Sequence, residues 1–391
     1  MKKYAKFTLA MVLSTALFTG CTTSTVNVKE KVEDNKTTVE ETVQNNDNDK
    51  ENNENIDDKQ NENSSDTSES SDNKENEQEE VKIKEIDLQE VKPNETGQIM
   101  VVMYHALGDE EKTYIRTREN FKEDLRLLYE KGYRPISLRD YINNEIDIEA
   151  GKTPVVFTFD DGNNTDFNII EENGEKKVDP NSAMGILEDF NKQYPDFGLE
   201  ATFFLFGNAP FRQKDLIDYK LKYIVDKGMD IGNHTSGHEN LGKLSINDIQ
   251  KTMAQNVEYL KQYLPDYEVN ILALPYGARP KSEEKRKYLF KGSFDGVEYN
   301  NIGALAVGWK PEYASIHKKF DYKYIHRVHG SSEEFGIRYW LDYFDKNPSK
   351  RYVSDGDKDT ITVLESQKDV VDESKLGEKE LRTYTIEEKS E

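Results

Sequence analysis

Thr158-Phe159-Asp160-Asp161-Gly162 ends an apolar run, Thr153 to Phe159, that reads as a buried strand. In parallel α/β folds the C-terminal ends of strands carry the chemistry. Two adjacent carboxylates there repel each other unless a positive charge lies nearby. A metal ion supplies that charge, holding one carboxylate as a ligand and leaving the other free as a base. The plainer alternative is a solvated Asp-Asp-Gly turn. Further along stands Gly232-Asn233-His234-Thr235-Ser236-Gly237-His238. Two histidines four apart after a short strand can converge on one ion. Two surface-loop histidines are the alternative, but the chain has only six histidines, which makes the clustering pointed. Asp161, His234 and His238 would be three protein ligands, with a fourth position open as a catalytic Zn²⁺ site requires.

These groups need a scaffold, and the sequence alternates strand and helix patterns from Gln98 onward. Ile99 to Tyr104, Thr153 to Phe159, Ala201 to Phe206, Met229 to Gly232, Val269 to Leu274 and Gly303 to Val307 read as strands. Asn120 to Lys131, Asn181 to Tyr194, Asp215 to Lys227 and Ser245 to Leu264 read as helices. Ser182 and Ser245 are expected caps, and Gly132 and Gly228 expected stops. Apolar strands alternating with helices predict a parallel sheet, open or closed into a barrel. Glu172-Asn173-Gly174-Glu175 predicts a hairpin within an insert, Asn163 to Pro180. Thr360 to Leu364 and Leu381 to Ile386 are strand-like pieces in the tail.

Together the motifs resemble the polysaccharide deacetylases, the carbohydrate esterase family 4 or NodB-homology enzymes, over about residues 98–330. Thr158 to Gly162 is similar to that family's first motif and His234 to His238 to its second. Ala201-Thr202-Phe203-Phe204-Leu205 resembles the strand between them, and Leu274-Pro275-Tyr276-Gly277 the third motif. The resemblance implies a distorted (β/α)7 barrel. It implies Asp160 as catalytic base, Asp161, His234 and His238 as ligands of a divalent metal, most plausibly zinc, and the Tyr276 N–H as an oxyanion donor. The implied reaction is hydrolysis of an acetamide to acetate and a free amino sugar. The implied substrate is an acetylated polysaccharide, peptidoglycan or poly-N-acetylglucosamine. O-acetyl esterase activity and a non-hydrolysing glycan-binding lipoprotein are the alternatives.

The pattern departs from that family in places. Ala273 stands where an arginine that orients the base is usual, and Arg279 is the nearby substitute. The general acid has two sources. His105 ends the first strand, in Met103-Tyr104-His105, as in deacetylases of exopolysaccharide. His326 and His329, in Ile325-His326-Arg327-Val328-His329, are the rivals. First and last strands of a closed barrel are neighbours, so either position can reach the same spot. The insert lengthens the loop after the first motif and is expected to shape the substrate groove. Trp309, Tyr313, Tyr339 and Trp340 are candidates for stacking on sugars, or are core.

Composition bounds the rest. The chain has 391 residues, a formal charge of −23 and 35% hydrophobic residues. Such an acidic chain is a poor partner for nucleic acid. One cysteine excludes an intrachain disulfide framework or a multi-cysteine metal site. Lys2, Lys3 and Lys6 followed by the apolar stretch Phe7 to Phe18 have the layout of an export signal. Leu17-Phe18-Thr19-Gly20-Cys21 resembles a lipobox, which implies lipidation of Cys21 and a place on the extracellular face of a bacterial membrane. Residues 22–95 hold nine basic and 23 acidic side chains, no aromatic residue and no glycine. Too little apolar surface is available there to offset backbone ordering, so a disordered tether is expected. The expected division is thus a signal peptide at 1–20, an anchored acidic linker at 21–95, a catalytic domain at 96–346 and an extension at 347–391. No obligate protein partner is expected.

Overall fold

In the computed structural model, residues 86–387 are described. The expected export signal, Cys21 and nearly all of the acidic linker lie outside them. Seven parallel strands form the frame: β1 (Gln98–Tyr104), β2 (Thr153–Asp160), β3 (Thr202–Leu205), β4 (Asp230–Asn233), β5 (Ile271–Ala273), β6 (Gly303–Leu305) and β7 (Val328–His329). Their order is β6-β5-β4-β3-β2-β1-β7. β1 pairs with β2 from Met100–Val155 to Tyr104–Phe159, and with β7 at Val102–Val328 and Met103–His329. The sheet curls until its ends meet, where Leu305 of β6 bridges Ile325 just before β7. One register pair joins β4 to β5, Asn233–Leu272, and one bridge closes the ring, so the barrel is distorted. The antiparallel segment Glu312–Tyr313 pairs with the start of β1 and makes the sheet mixed.

The strands read as continuous apolar runs because both their faces are buried. Met100, Val102 and Tyr104 join the outer core under the helices, whereas Ile99 and Val101 join the barrel interior with Val156, Phe204, Ile271 and Leu305. The surrounding helices are α1 (Arg118–Glu130), α2 (Ala183–Gln193), α3 (Ile217–Asp226), α4 (Ile246–Lys261) and α5 (Ile337–Lys346). In α1, Phe121, Leu125 and Leu128 recur at helical spacing and are fully buried. Burial of each such side chain stabilises by roughly 1.5–3 kcal/mol. Ser182 and Ser245 accept the N–H groups of Gly185 and Asp248, as the cap residues predicted.

The insert is a hairpin of Ile169–Glu172 and Glu175–Val178. Asn173 (φ 56°) and Gly174 (φ 80°) supply its left-handed turn. Its root is pinned by a buried lysine, Lys220 of α3, which donates to the carbonyls of Phe167 (2.7 Å) and Phe211 (3.2 Å). The Phe211 N–H in turn donates to the Gly162 carbonyl at 2.7 Å. The loop beside Asp161 is thereby tied to α3.

The folded part starts earlier than composition alone places it. Leu88–Val91 is helical, Asn94 and Glu95 are buried, and Asn94 pairs with Val353. Residues 86–95 therefore pack with the fold rather than continuing the acidic linker, because the chain's far end covers them. That end, the expected extension, is part of the structure. Thr360–Leu364 and Glu380–Tyr384 pair in parallel, and Tyr352, Ile361 and Val363 enter the interior core. They close the N-terminal end of the barrel, opposite Asp160.

Candidate active site

Asp160 is the last residue of β2, on the interior face with Val156, and is 1% exposed. A carboxylate so buried needs a cationic partner. Arg327 supplies it with two bonds, Nη1 to Oδ1 at 2.8 Å and Nη2 to Oδ2 at 2.7 Å. Arg327 is itself fully buried and held by the Ala306 carbonyl (2.7 Å) and the Thr158 hydroxyl (3.1 Å). A Cβ on Gly308 would lie 1.7 Å from the Arg327 carbonyl oxygen, so only glycine lets these chains approach. Burial pushes the Asp160 carboxyl upward, but the Arg327 charge and hydrogen bonds outweigh it and hold the group well below the usual carboxylate range. Asp160 is thus an anion at neutral pH, with both oxygens oriented.

Arg327 is the cation that orients the Asp160 carboxylate where position 273 holds alanine, and it comes from the far end of the chain. Arg279, the sequence-based substitute, does not fill this role: its guanidinium lies over the Tyr324 ring, 3.9 Å from the centroid. Nothing in the spacing of Ile325-His326-Arg327-Val328-His329 marks the arginine. The one available signal is an arginine just before a short strand, set between two histidines.

Asp161 follows Asp160 in the left-handed region (φ 77°), as does Gly162 (φ 59°). This turn separates the two carboxylates. Asp161 Oδ1 lies 3.5 Å from Nε2 of both His234 and His238. It is buried with no hydrogen-bond partner. Ligands about 2.1 Å from a tetrahedral ion lie roughly 3.4 Å apart, so the spacing fits a shared cation. His234 Nδ1 faces the Ala273 carbonyl at 2.8 Å. A carbonyl only accepts, so Nδ1 carries the proton and Nε2 presents its lone pair. Burial, then the neighbouring His234, keep His238 below the usual imidazole value and therefore neutral near pH 7. Thr235 (φ 67°) and His238 (φ 56°) adopt left-handed backbone, which costs energy and recurs at functional sites. The loop is braced from below: Asn233 Oδ1 accepts the Thr235 N–H (2.8 Å) and Asn256 Nδ2 (3.0 Å). The orphaned oxygen, the fixed tautomer and the spacing together fit a divalent cation.

Tyr276 sits at φ 60° in the turn after β5, with its ring 65% exposed and 4.6 Å from that of His238. The turn is held by Gly277 N–H to the Leu274 carbonyl (2.8 Å) and by the Tyr324 hydroxyl donating to the Gly277 carbonyl (3.1 Å).

The three acid candidates separate. His105 lies in the field of Asp160, Asp161 and His234; burial lowers its value, against the two carboxylates. His329 is lowered by burial and by Arg327. Tyr114 lies between these two histidines, with ring centroids 4.6 Å from His105 and 5.9 Å from His329. His326 is engaged elsewhere, its Nδ1 2.6 Å from Glu312 Oε2. Of the aromatics, Trp309 is 55% exposed, while Trp340 packs against the core and donates Nε1 to the Trp309 and Phe335 carbonyls. Tyr313 lies against His317, and Tyr339 against Phe335 and Trp340.

Comparison with known proteins follows this geometry. Residues 147–289 match the family model described as polysaccharide deacetylase. A peptidoglycan-N-acetylglucosamine deacetylase of Bacillus cereus is 27% identical over 161 residues, 40% of this chain and 50% of that protein. The chain spans between 50% and 64% of the length of the curated relatives it matches. Among solved structures, the Streptococcus pyogenes deacetylase PplD in complex with acetate is 19% identical, with a TM-score of 0.46, over 63% of this chain and 98% of that one. IcaB from Ammonifex degensii is 17% identical, with a TM-score of 0.45, over 65% and 97%. Asp160, Asp161, both loop histidines and Tyr276 all fall in residues 147–289, the stretch that is similar to the polysaccharide deacetylase family model.

Proposed function

We propose that this protein is a metal-dependent hydrolase that removes N-acetyl groups from an N-acetylhexosamine polymer, peptidoglycan or poly-N-acetylglucosamine, at the bacterial cell surface. The observation that carries the reading is the buried Arg327–Asp160 pair beside the Asp161–His234–His238 cluster. It puts an oriented, ionised base next to a site suited to a cation. Asp161, His234 and His238 would hold a divalent cation such as zinc, which would supply Lewis acidity toward the acetyl carbonyl and toward water.

The chain's own groups do the remaining work. Asp160 takes a proton from the attacking water, and Arg327 keeps the carboxylate in line for it. The Tyr276 N–H donates to the carbonyl oxygen as it becomes negative. His105 in its imidazolium form, which the charges of Asp160 and Asp161 favour, protonates the leaving amine, and acetate and the free amino sugar depart. The absent arginine at 273 and the unassigned general acid are the reasons to consider a binding protein without turnover. Arg327, paired with Asp160, answers the first of them. Lipidation at Cys21 and tethering by the acidic segment belong to the same proposal; Cys21 and the residues before 86 lie outside the described structure.

Acetate release by the full-length chain tests this, with added Zn²⁺ and with chelator, on N-acetylglucosamine oligomers, intact peptidoglycan and O-acetylated xylan. Metal-dependent release from the N-acetylated substrates is expected. Release from xylan alone would make the protein an esterase. Binding without release from any of them would leave the binding protein.

A further inference from the structure

Arg279 lies just beyond Tyr276, and the chemistry described above does not use it. Its guanidinium stacks on Tyr324, 3.9 Å from the ring centroid, and the hydroxyl of Tyr324 holds the turn that carries Tyr276. The stack fixes the plane of the cation and leaves its N–H edge free. Other arginines nearby are already engaged: Arg286 donates to the Pro280 and Lys281 carbonyls, and Arg327 to Asp160. Among the described residues no carboxylate lies within ion-pair distance of Arg279. The residue lines a groove of about 730 Å³ that also holds the Tyr322 ring, 42% exposed, with Lys323 Nζ 5.4 Å from its centroid. Glu283, Glu284 and Asp321 line the same groove and offset Arg286, Lys287 and Lys323, so no general positive field fills it. A single pre-oriented guanidinium beside an exposed aromatic ring is a local device. Its fork matches a carboxylate or a phosphate, and the ring offers a face to a sugar.

We infer that this groove is a subsite for an anionic group carried by the glycan, bound by Arg279 with the adjoining sugar on Tyr322. The inference rests on the deacetylase reading and deepens it. It selects a polymer bearing regular carboxylates or phosphodiesters over neutral poly-N-acetylglucosamine.

The test uses the full-length chain, Arg279→Gln and Arg279→Lys, with three probes: a neutral N-acetylglucosamine hexamer, a carboxylate-bearing peptidoglycan fragment of similar length, and a phosphodiester-bearing wall glycan. Acetate release and equilibrium binding are both measured. The wild type should prefer an anionic probe, and the preference should weaken with salt. Arg279→Gln should lower the anionic-to-neutral ratio of kcat/KM about tenfold, through KM, since a hydrogen bond to a charged group contributes on that order. Arg279→Lys should recover part of the ratio. Which anionic probe responds identifies the source of the anion. Equal binding of neutral and anionic probes by the wild type would overturn the inference. So would an equal loss on all probes in Arg279→Gln, which would make Arg279 a support for the Tyr276 turn. If the wild type releases no acetate yet binds an anionic probe through Arg279, the deacetylase reading falls and the subsite stands.

Discussion

Asp160 and Glu95 are two buried carboxylates at opposite ends of one barrel, 1% and 3% exposed. Burial pushes both upward, yet they end in opposite charge states. At the open end, Arg327 overcomes burial and keeps Asp160 ionised. At the closed end, burial and then the neighbouring Asp355 push Glu95 up to about 8, against hydrogen bonds from Thr362, Asp355 and Tyr352. Burial alone does not set the charge of a group; the sign of its nearest charged neighbour does. The end that holds a guanidinium can hold a base. The end where Asp355 lies beside Glu95 keeps Glu95 protonated at neutral pH, and it is formed by the two ends of the fold.

Breaking the open end should have the largest effect. Asp160→Asn should lower kcat about 10³- to 10⁴-fold, near the upper range for loss of a general base. Zn²⁺ content, read by elemental analysis, should stay near that of the wild type. Retained turnover would remove Asp160 as the base.

Arg327→Met attacks the same pair from the other side. It leaves Asp160 buried without its cation, so chemical denaturation should show a loss of roughly 3–5 kcal/mol. Turnover at a temperature where the variant is still folded should also fall. A variant as stable as the wild type would mean that the pair is not the device described here.

The acid candidates give a smaller and more discriminating contrast. His105→Asn should cost roughly 10²-fold or more in kcat, and His326→Asn little, because His326 is engaged by Glu312. His329→Asn should fall between them. If His329→Asn costs more than His105→Asn, the acid moves to the closing strand.

Glu95→Gln should give the smallest effect, visible mainly in pH dependence. Glu95 has a folded value near 8 against an ordinary 4.5. Its contribution to stability is therefore complete below about 4.5 and is lost as pH rises through 8. For Asp160, depressed below 3.8, the contribution is present above 3.8 and is lost as pH falls through its folded value. Thermal unfolding of Glu95→Gln should show a flatter alkaline arm than the wild type and an unchanged acid arm. Identical alkaline arms would show that Glu95 is already ionised in the fold.

The sequence alone determined whatever depends on neighbours in the chain. Apolar runs located the strands, serines at 182 and 245 started their helices, and Asn173-Gly174 turned the hairpin. Asp161 with His234 and His238 was legible as a cluster that could hold a metal, because Asp161 and His234 directly follow strands, His238 lies four residues beyond His234, and strand ends converge in a parallel sheet. Contacts across the seam were decided only in three dimensions. Arg327 reaches Asp160 because β7 lies beside β1 and next to β2's base, a proximity that no local spacing encodes. Residues 86–95 read as linker on composition, but Val353 and Thr362 give their backbone and Glu95 partners from the far end of the chain. Local patterns record which face of a segment seeks burial. Ring closure sets which distant segments meet, and here it supplied the cation that keeps Asp160 charged.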